Sequence, residues 1–562
     1  MKILIIGGVA GGASAAARLR RLDENAEIIV FERGEYISFA NCGLPYRVGD
    51  IITEDSELVL QTPESFSARF RVDIRVLSEV VKISKEQKSV MVKNIDKGDI
   101  YTESYDKLII STGASPYRPS IPGIDSKKIF TITTIPDTLR INNYINSRKT
   151  KSAVVVGGGF IGLEMAENLK NLGLTVTVVH RRSHVMPTID EDVAWDVHNY
   201  LRSCGITIRT NVEPLKYIDT DDGIDIVLTE GTIHADIIIL ATGVQPNSKI
   251  AQDAEIECDE RGYIIVDSAM RTSKDNIYAI GDVVAVKEFV TGKSTHIALA
   301  GPANKQGRIV ADQIYGLDSR YQGSQGSFVL KLFEKTLAGT GITESFAKTQ
   351  GIDYEKIHLY QSNHAGYYPG GEFMSIKIIF KKDTGQILGG QFFGGEGTDK
   401  RCDILAVAIR AGMNATNLTN LDLCYAPPYS SARDPIIMAG MAIENIVTKK
   451  VKVFHWGELD KLDRSKVTLL DVRTTEEYSK GHIEGFINIP LHELRDRINE
   501  LELEKPIYVH CFSGMRSYVG CRILMGYDID SINISGGYRL YNAMKEFNLA
   551  EEIMINNKAV EL

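Results

Sequence analysis

Cys42 lies in Ser38-Phe39-Ala40-Asn41-Cys42-Gly43-Leu44-Pro45-Tyr46, shortly after an amino-terminal glycine turn, and Cys511 opens Cys511-Phe512-Ser513-Gly514-Met515-Arg516-Ser517 near the other end. Two thiols in two different reactive settings point to sulfur chemistry. The seven cysteines (Cys42, Cys204, Cys258, Cys402, Cys424, Cys511 and Cys521) contain no C-x-x-C pair and no metal-ligand cluster. Neither a disulfide framework nor a metal site is expected, and the cytoplasm is the expected compartment. Cys521 falls on the helix after Cys511, where a core thiol is the expectation over a resolving partner.

The elements around Cys42 follow a recognisable order. A short apolar strand (Lys2 to Ile6) meets a glycine turn, Gly7-Gly8-Val9-Ala10-Gly11-Gly12, then a helix of small residues and arginines, then a second strand (Glu27 to Phe31) ending in Glu32. A Rossmann unit needs this order: glycines let the backbone approach a pyrophosphate at a helix N-terminus, and an acid about 20 residues on holds ribose hydroxyls. Val9 takes the middle glycine position, so this turn alone can equally be a plain turn. A second unit, Ala153 to Gly162, carries a complete G-x-G-x-x-G (Gly157, Gly159, Gly162), a helix through Glu164 and Leu169, and a strand Thr175 to Val179. Farther on, Thr272 to Asp282 reads as a strand closing on Gly281-Asp282, where a carboxylate can accept a ribityl hydroxyl. Ser111-Thr112-Gly113-Ala114 and Ala241-Thr242-Gly243 end two more strands.

That set resembles the two-dinucleotide flavoprotein disulfide reductases over roughly residues 1–447. The resemblance implies FAD on the first unit, a nicotinamide cofactor on the second and a C-terminal dimerisation domain. FAD contacts carried over are Gly7, Gly8, Val9, Ala10, Gly11, Glu32, Arg33, Asn41, Cys42, Val80, Thr112, Gly113, Gly281, Asp282, Ala298 and Tyr425. For NAD(P) they are Gly157, Gly159, Phe160, Ile161, Gly162, Glu164, His180, Arg181 and Gly243. After the Thr175 to Val179 strand, NADH-preferring members place Glu where this chain has His180, followed by Arg181 and Arg182. Bases favour a 2′-phosphate, so NADPH is expected to bind at least as well as NADH, unless the stretch is a basic loop start without cofactor contact.

The redox centre separates the subfamilies. Members with an internal disulfide use C-x-x-x-x-C, and here the second position is Arg47. A single thiol must then cycle through a mixed disulfide, a persulfide or a sulfenic acid. Single-cysteine peroxidases and oxidases carry a histidine in the first glycine turn, where this chain has Ala10. Ser38-Phe39-Ala40-Asn41-Cys42 instead is similar to coenzyme A disulfide reductase, together with Tyr367 in His364-Ala365-Gly366-Tyr367-Tyr368-Pro369 and Tyr425 in Tyr425-Ala426-Pro427-Pro428-Tyr429-Ser430-Ser431-Ala432-Arg433. In that family the two tyrosines reach the partner subunit's thiol site, where a phenol can protonate a departing thiolate. Without the motif they would read as packing residues.

The same resemblance favours Ser14, Arg18, Arg21, Ser38, Asn41, Cys42, Asn304, Arg308 and Arg433 as coenzyme A contacts. Arg20 and Lys305 add nearby bases, and Arg69 and Arg71 are weaker candidates because the family's lysine there aligns with Phe70. An arginine run on an amphipathic helix can also be a solvated face.

Residues Leu469-Leu470-Asp471-Val472-Arg473, Gly481 to Pro490 and Ile507-Tyr508-Val509-His510-Cys511 resemble a rhodanese domain. A cysteine between a buried strand and a helix sits where backbone N–H groups and the helix N-terminus stabilise a thiolate or a persulfide. Arg516 can pair with an anionic donor such as thiosulfate. Phosphatases on a related scaffold use C-x-x-x-x-x-R, one residue longer than Cys511 to Arg516, and a non-catalytic docking module is a further alternative.

The expected architecture is α/β throughout. FAD-binding residues 1–113 and 245–322 and NAD(P)-binding residues 114–244 form two Rossmann-like domains. An α+β dimerisation domain (323–447), a linker (448–456), an α/β rhodanese domain (457–550) and a tail (551–562) follow. The 562 residues, 43% hydrophobic and 24% charged with a net charge of −9, suit several globular cores and argue against a general nucleic-acid or anionic-membrane binder. The apolar run Ile3 to Ala17 is broken by four glycines, and no stretch reaches the ~20 apolar residues of a membrane span.

The expected activity is reduction of coenzyme A disulfide, coenzyme A persulfide or polysulfide by NAD(P)H in a homodimer. Cys42 would form a mixed disulfide with coenzyme A, released by reduced FAD, while Cys511 supplies sulfane sulfur. Catalytic candidates are Cys42, Tyr367, Tyr425, Cys511 and Arg516. The competing expectations are an NAD(P)H oxidase or peroxidase using a Cys42 sulfenic acid, and a redox sensor with a rhodanese docking module.

Overall fold

A computed structural model describes residues 1–560. The chain forms two compact units, one of Met1–Val179 with Val212–Gly326, the other of His180–Asn211 with the residues from Ser327 onward.

The first unit holds two parallel sheets. In one, the strands run in the order Ile277–Ala279, Lys107–Ile110, Lys2–Ile6, Glu27–Phe31, Asp73–Arg75. In the other, Thr175–Val179, Ser152–Val156, Ile237–Leu240 and Ile129–Phe130 are successive parallel neighbours. Runs such as Lys-Ile-Leu-Ile-Ile and Ser-Ala-Val-Val-Val lack polar alternation because both faces of each parallel sheet are covered, by helices and by a small three-stranded antiparallel sheet. Each central strand leads into a helix, the small-residue Ala10–Leu22 and Phe160–Asn171.

The second unit contains a five-stranded antiparallel sheet in the order Phe328–Leu332, Lys335–Gly341, Ile387–Gly394, Phe373–Lys381, Tyr354–Ser362. Helix Thr398–Arg410 packs on it, and Gly390 makes room for Leu405 at the contact. The fully buried Lys377 Nζ lies 2.6 Å from Asp192, 2.7 Å from Glu344 and 3.1 Å from Asp190. Burial alone would raise the Asp192 carboxyl, but Lys377 and Lys356 hold it below its ordinary value. The three carboxylates converge on this ammonium.

A parallel sheet closes the unit, ordered Lys452–Phe454, Ser531–Ile534, Ile507–His510, Thr468–Asp471, Ile487–Asn488. The expected linker at 448–456 is therefore shorter. Val451 is buried, Lys452–Phe454 is an edge strand, and Trp456 sits in the core with its Nε1 donating to Gly537 O at 2.8 Å. Three residues opening on a lysine give no periodicity for sequence to reveal.

The expected tail at 551–562 is likewise no separate segment, because helix Gly537–Val560 runs through its start. Glu561 and Leu562 lie outside the described residues. The first turn of this helix donates Tyr538 N–H to Cys511 O and Arg539 N–H to Phe512 O. Farther along, Ala543 O accepts from Asn199, and Glu551 bonds Arg202 and Thr210. Among the described residues, no helix is long and apolar enough to cross a membrane.

Candidate active sites

In the first unit, strand Lys2–Ile6 delivers the glycine turn to the N-terminus of helix Ala10–Leu22. Gly7 takes φ +103°, and a β-carbon there would stand 2.2 Å from Ser111 O, so only glycine fits. Glu32 closes the next strand and accepts N–H bonds from Gly8 and Gly34, both at 2.9 Å. A cleft of about 390 Å³ opens over this turn, lined by Gly7, Val9, Ala10, Gly11, Glu32, Arg33, Asn41, Val80, Thr112, Gly113, Gly281 and Asp282 among others. Burial pushes the Asp282 carboxyl up to about 6, which suits a group that meets a hydroxyl rather than water. These donors and acceptors fit FAD: N–H groups for a pyrophosphate, Glu32 for a ribose and Asp282 for a polyol. Gly8 is buried beneath the turn, and Ala298 is exposed just before helix Ala300–Ile314.

Sequence reasoning missed Thr133, Thr134 and Asn247, which also line the cleft. Thr134 opens a capping box with Asp137, and that T-x-x-D spacing could have placed a helix start here. Asn247 exchanges hydrogen bonds with Thr112 at 2.8 and 2.9 Å, a pairing across 135 residues that no local pattern carries.

The second glycine turn repeats the geometry of the first. Gly157 approaches Ala241 O, Gly159 faces open space, and Phe160, Ile161, Gly162 and Glu164 follow on the helix, while Gly243 ends the Ile237–Leu240 strand. An open position beside a helix N-terminus fits a nucleotide pyrophosphate. Burial pushes the Glu164 carboxyl up to about 7, against an opposing hydrogen bond from Tyr46. In the second unit, His180 departs from its expected basic character. It is buried, and burial with neighbouring His184 and Arg182 pushes its pKa down to about 4, so the ring is neutral. Exposed Arg181 and Arg182 carry the positive charge of that stretch.

Cys42 stands in the one-turn helix Asn41–Gly43, followed by helix Leu44–Val48 with Pro45 in its first turn. Ser38 adopts φ +42° and bonds Gly8 O through its N–H at 3.0 Å, which pins the cysteine loop to the glycine turn. Cys42 is exposed as a residue, yet surrounding protein shields the sulfur enough to raise its pKa, and Glu164 and Asp282 raise it further. Arg47, at the position where a second thiol would stand, is bonded to Asp55 and Asp50.

Helices Ala10–Leu22 and Ala300–Ile314 pack against each other and bring together four of the proposed coenzyme A residues. Ser14 donates to Asn304 at 2.6 Å, and Arg18 pairs with Asp312 at 2.7 Å, an acid that Arg308 also approaches at 3.9 Å. Arg21 is exposed. Arg20 differs from a solvated base: its guanidinium donates to the carbonyls of Asp23, Glu24, Phe70 and Arg71 and ties the helix in place.

In the second unit, Tyr367 and Tyr425 meet hydroxyl to hydroxyl at 3.0 Å and are 77% and 48% exposed. Their bond raises the Tyr367 phenol. Buried Arg401 holds the two loops together, donating to Asn363 O, Ser430 Oγ and Asp434 Oδ2 at 2.9 to 3.0 Å. Arg401 was not foreseen from sequence. Arg433 lies on the second of these loops.

Cys511 ends strand Ile507–His510 before helix Met515–Met525. Its sulfur accepts from Gly514 N–H at 3.1 Å and Ser517 Oγ at 3.4 Å, and the residue is 1% exposed. Gly514 takes φ +103° so that its N–H turns back onto the sulfur. Arg516 is not open to an anionic donor as expected: both guanidinium prongs hold Glu477, at 2.6 and 2.7 Å. The Arg516 bond holds Glu477 down at about 2. Beneath the loop, buried Arg473 pairs with Asp471 at 2.7 Å and lies 3.9 Å over the Tyr538 ring. Cys521 is fully buried with its thiol pushed up to about 12, as a core residue.

Comparison with known proteins extends this geometry. The pyridine nucleotide-disulphide oxidoreductase family matches residues 1–307, its dimerisation domain 329–435, and the rhodanese-like domain 458–544. The coenzyme A disulfide reductase of Staphylococcus epidermidis is 35% identical over 441 residues, 78% of this chain and 99% of that one. Among solved structures, reduced Bacillus anthracis CoADR-RHD is 48% identical with a TM-score of 0.95, covering 96% of this chain and 98% of that one. A NAD-dependent persulfide reductase from A. fulgidus is 36% identical with a TM-score of 0.90, covering 96% of this chain and all of that one. With a family matched over more than half its length and a coenzyme A disulfide reductase 35% identical across nearly all of that relative, the chain belongs to the pyridine nucleotide-disulphide oxidoreductase family.

Proposed function

We propose that the protein reduces coenzyme A disulfide or coenzyme A persulfide with NAD(P)H, using Cys42 as its redox thiol and its rhodanese domain to supply sulfane sulfur. The observation that carries this reading is the lone Cys42 beside the FAD-type cleft, with arginine where a second thiol would stand. Bound FAD supplies hydride acceptance from NAD(P)H and electron transfer to sulfur.

The chain's own residues do the rest. Glycine-turn N–H groups and Glu32 hold the dinucleotide, and Asp282 accepts a hydroxyl. The Cys42 thiolate attacks one sulfur of coenzyme A disulfide, forming Cys42–S–S–CoA and expelling one coenzyme A thiolate, which takes up a proton. With a persulfide the same attack expels hydrosulfide. Two electrons from NAD(P)H then break the mixed disulfide, restoring the Cys42 thiolate and releasing the coenzyme A held in it, which takes up a proton. Ser14, Arg18, Arg21, Ser38, Asn41, Asn304, Arg308 and Arg433 orient the phosphates and adenosine of coenzyme A. In a homodimer, Tyr367 and Tyr425 are offered to the other chain's thiol site, a reading supported by their exposure in a family with a dimerisation domain. The division into FAD, NAD(P), dimerisation and rhodanese regions is proposed as stated above, with the linker shortened. Seven free thiols and a need for reduced nucleotide support a cytoplasmic setting.

Anaerobic consumption of NADPH and NADH by the FAD-loaded protein tests this, comparing coenzyme A disulfide with coenzyme A persulfide and assaying sulfide. Turnover of either supports the reading, and sulfide release marks a persulfide reductase. Inert substrates with nucleotide consumed by oxygen or peroxide would overturn it in favour of an oxidase.

A further inference from the structure

Helix Leu44–Val48, which follows Cys42, docks on helix Phe160–Asn171, which opens from the second glycine turn. The approach is close. A β-carbon on Gly49 would stand 2.1 Å from Asn168 Oδ1, and the Asn168 amide in turn donates to Glu164 O at 2.8 Å. At the same contact the Tyr46 hydroxyl donates to Glu164 Oε1 at 3.4 Å. One carboxyl on the nucleotide-turn helix is thereby fixed to a residue four places from the redox thiol.

We propose that Glu164, held by Tyr46, is a positioning residue whose charge sets the fraction of Cys42 present as thiolate, linking the nucleotide-turn helix to the sulfur chemistry. The inference rests on Cys42 being the redox thiol. Glu167, on the same helix as Glu164, is buried and acidic, and Asp282 also faces the thiol. The Arg47 guanidinium is committed to Asp50 and Asp55, and on helix Ile135–Arg148, which packs against Leu44–Val48, Asp137 and Arg140 pair with each other. The strands beneath, Ser152–Val156, Thr175–Val179 and Ile237–Leu240, carry no titratable side chain.

The direction follows from Coulomb repulsion. Burial brings the Glu164 titration close to neutrality, at about 7. Above that pH the ionised carboxylate opposes a second negative charge on Cys42, and below it the opposition is lifted. A nucleotide group that donates a hydrogen bond to Glu164 favours the ionised carboxylate, as Tyr46 does, and so extends the opposition to lower pH.

The test is the pH dependence of iodoacetamide alkylation of Cys42 in reduced, FAD-loaded protein freed of coenzyme A, quantified on the Cys42 peptide by mass spectrometry. At pH 8, Glu164→Gln is expected to alkylate about tenfold faster than wild type, the size of one pKa unit. Glu164→Asp, which keeps the charge, should stay near wild type. Tyr46→Phe removes the bond that favours the ionised carboxylate and should shift the profile the same way as Glu164→Gln, by about two- to threefold. Equal rates in wild type and Glu164→Gln overturn the proposal, as does a Glu164→Asp rate matching that of Glu164→Gln. Cys42→Ser that still turns over coenzyme A disulfide sinks the functional reading instead, and the alkylation comparison is independent of that outcome.

Discussion

The two thiols proposed to react are held in opposite ways. Cys42 is exposed, follows a loop with strained backbone at Ser38, and faces the carboxylates of Glu164 and Asp282, which oppose its ionisation. Cys511 is buried and receives hydrogen bonds from Gly514 and Ser517, which favour an anionic sulfur. The contrast matches their proposed tasks. A thiol that attacks a disulfide works best with a pKa near ambient pH, and one that leaves does so faster the lower its pKa, so carboxylates beside Cys42 set how much of it is ready to react. A thiol that stores a terminal sulfur gains from fixed donors around the anion.

Exchanging the thiols one at a time should separate the tasks most sharply. Cys42→Ser is expected to lower NAD(P)H-dependent reduction of coenzyme A disulfide by on the order of 10³-fold. Cys511→Ser should leave that rate within about twofold and abolish transfer of sulfane sulfur to cyanide or coenzyme A. Equal losses in both variants would mean the thiols act as one centre.

Stability should divide along the same line. Arg473→Met leaves the fully buried Asp471 without its partner and should cost about 3–5 kcal/mol in the unfolding of the rhodanese domain. Flavin release on denaturant titration should then occur at an unchanged midpoint. Ser517→Ala removes one donor to the Cys511 sulfur, about 1 kcal/mol. The rate of sulfur transfer to cyanide should fall severalfold, while the Cys42 alkylation profile stays in place.

The smallest effect concerns Glu477. Its folded carboxyl is depressed to about 2 by Arg516, so the pair's contribution is present above the ordinary glutamate value and lost as pH falls through about 2. Acid unfolding of wild type should therefore carry a stability loss between roughly pH 4.5 and 2 that Glu477→Gln lacks. The same variant frees Arg516 and should raise the preference for thiosulfate over uncharged donors. No change in preference would show that Arg516 does not face the donor.

What sequence could reveal followed from local order. Strands Lys2–Ile6, Glu27–Phe31 and Thr175–Val179, both glycine turns and the Cys511 loop stand where their patterns placed them, because buried parallel strands and tight turns write themselves into consecutive residues. Partners distant in the chain were not legible. Glu477 engages Arg516 from 39 residues away, Arg401 ties two loops through carbonyls and a carboxylate, and Tyr46 reaches Glu164 across 118 residues. Residue type alone also misjudged charge: His180 reads as basic until its burial is seen.

Helix Gly537–Val560 bears on how such fusions arise. The recognised rhodanese module ends at residue 544, yet Glu551, which grips Arg202 and Thr210, lies beyond it. The seam of the graft thus draws on the joining stretch, where His455 pairs with Glu355, and also on an extension of the last helix. A shuffled rhodanese taken at its usual borders would arrive without that second anchor, so exchange of whole modules among relatives should hold better when the extra turns travel with them.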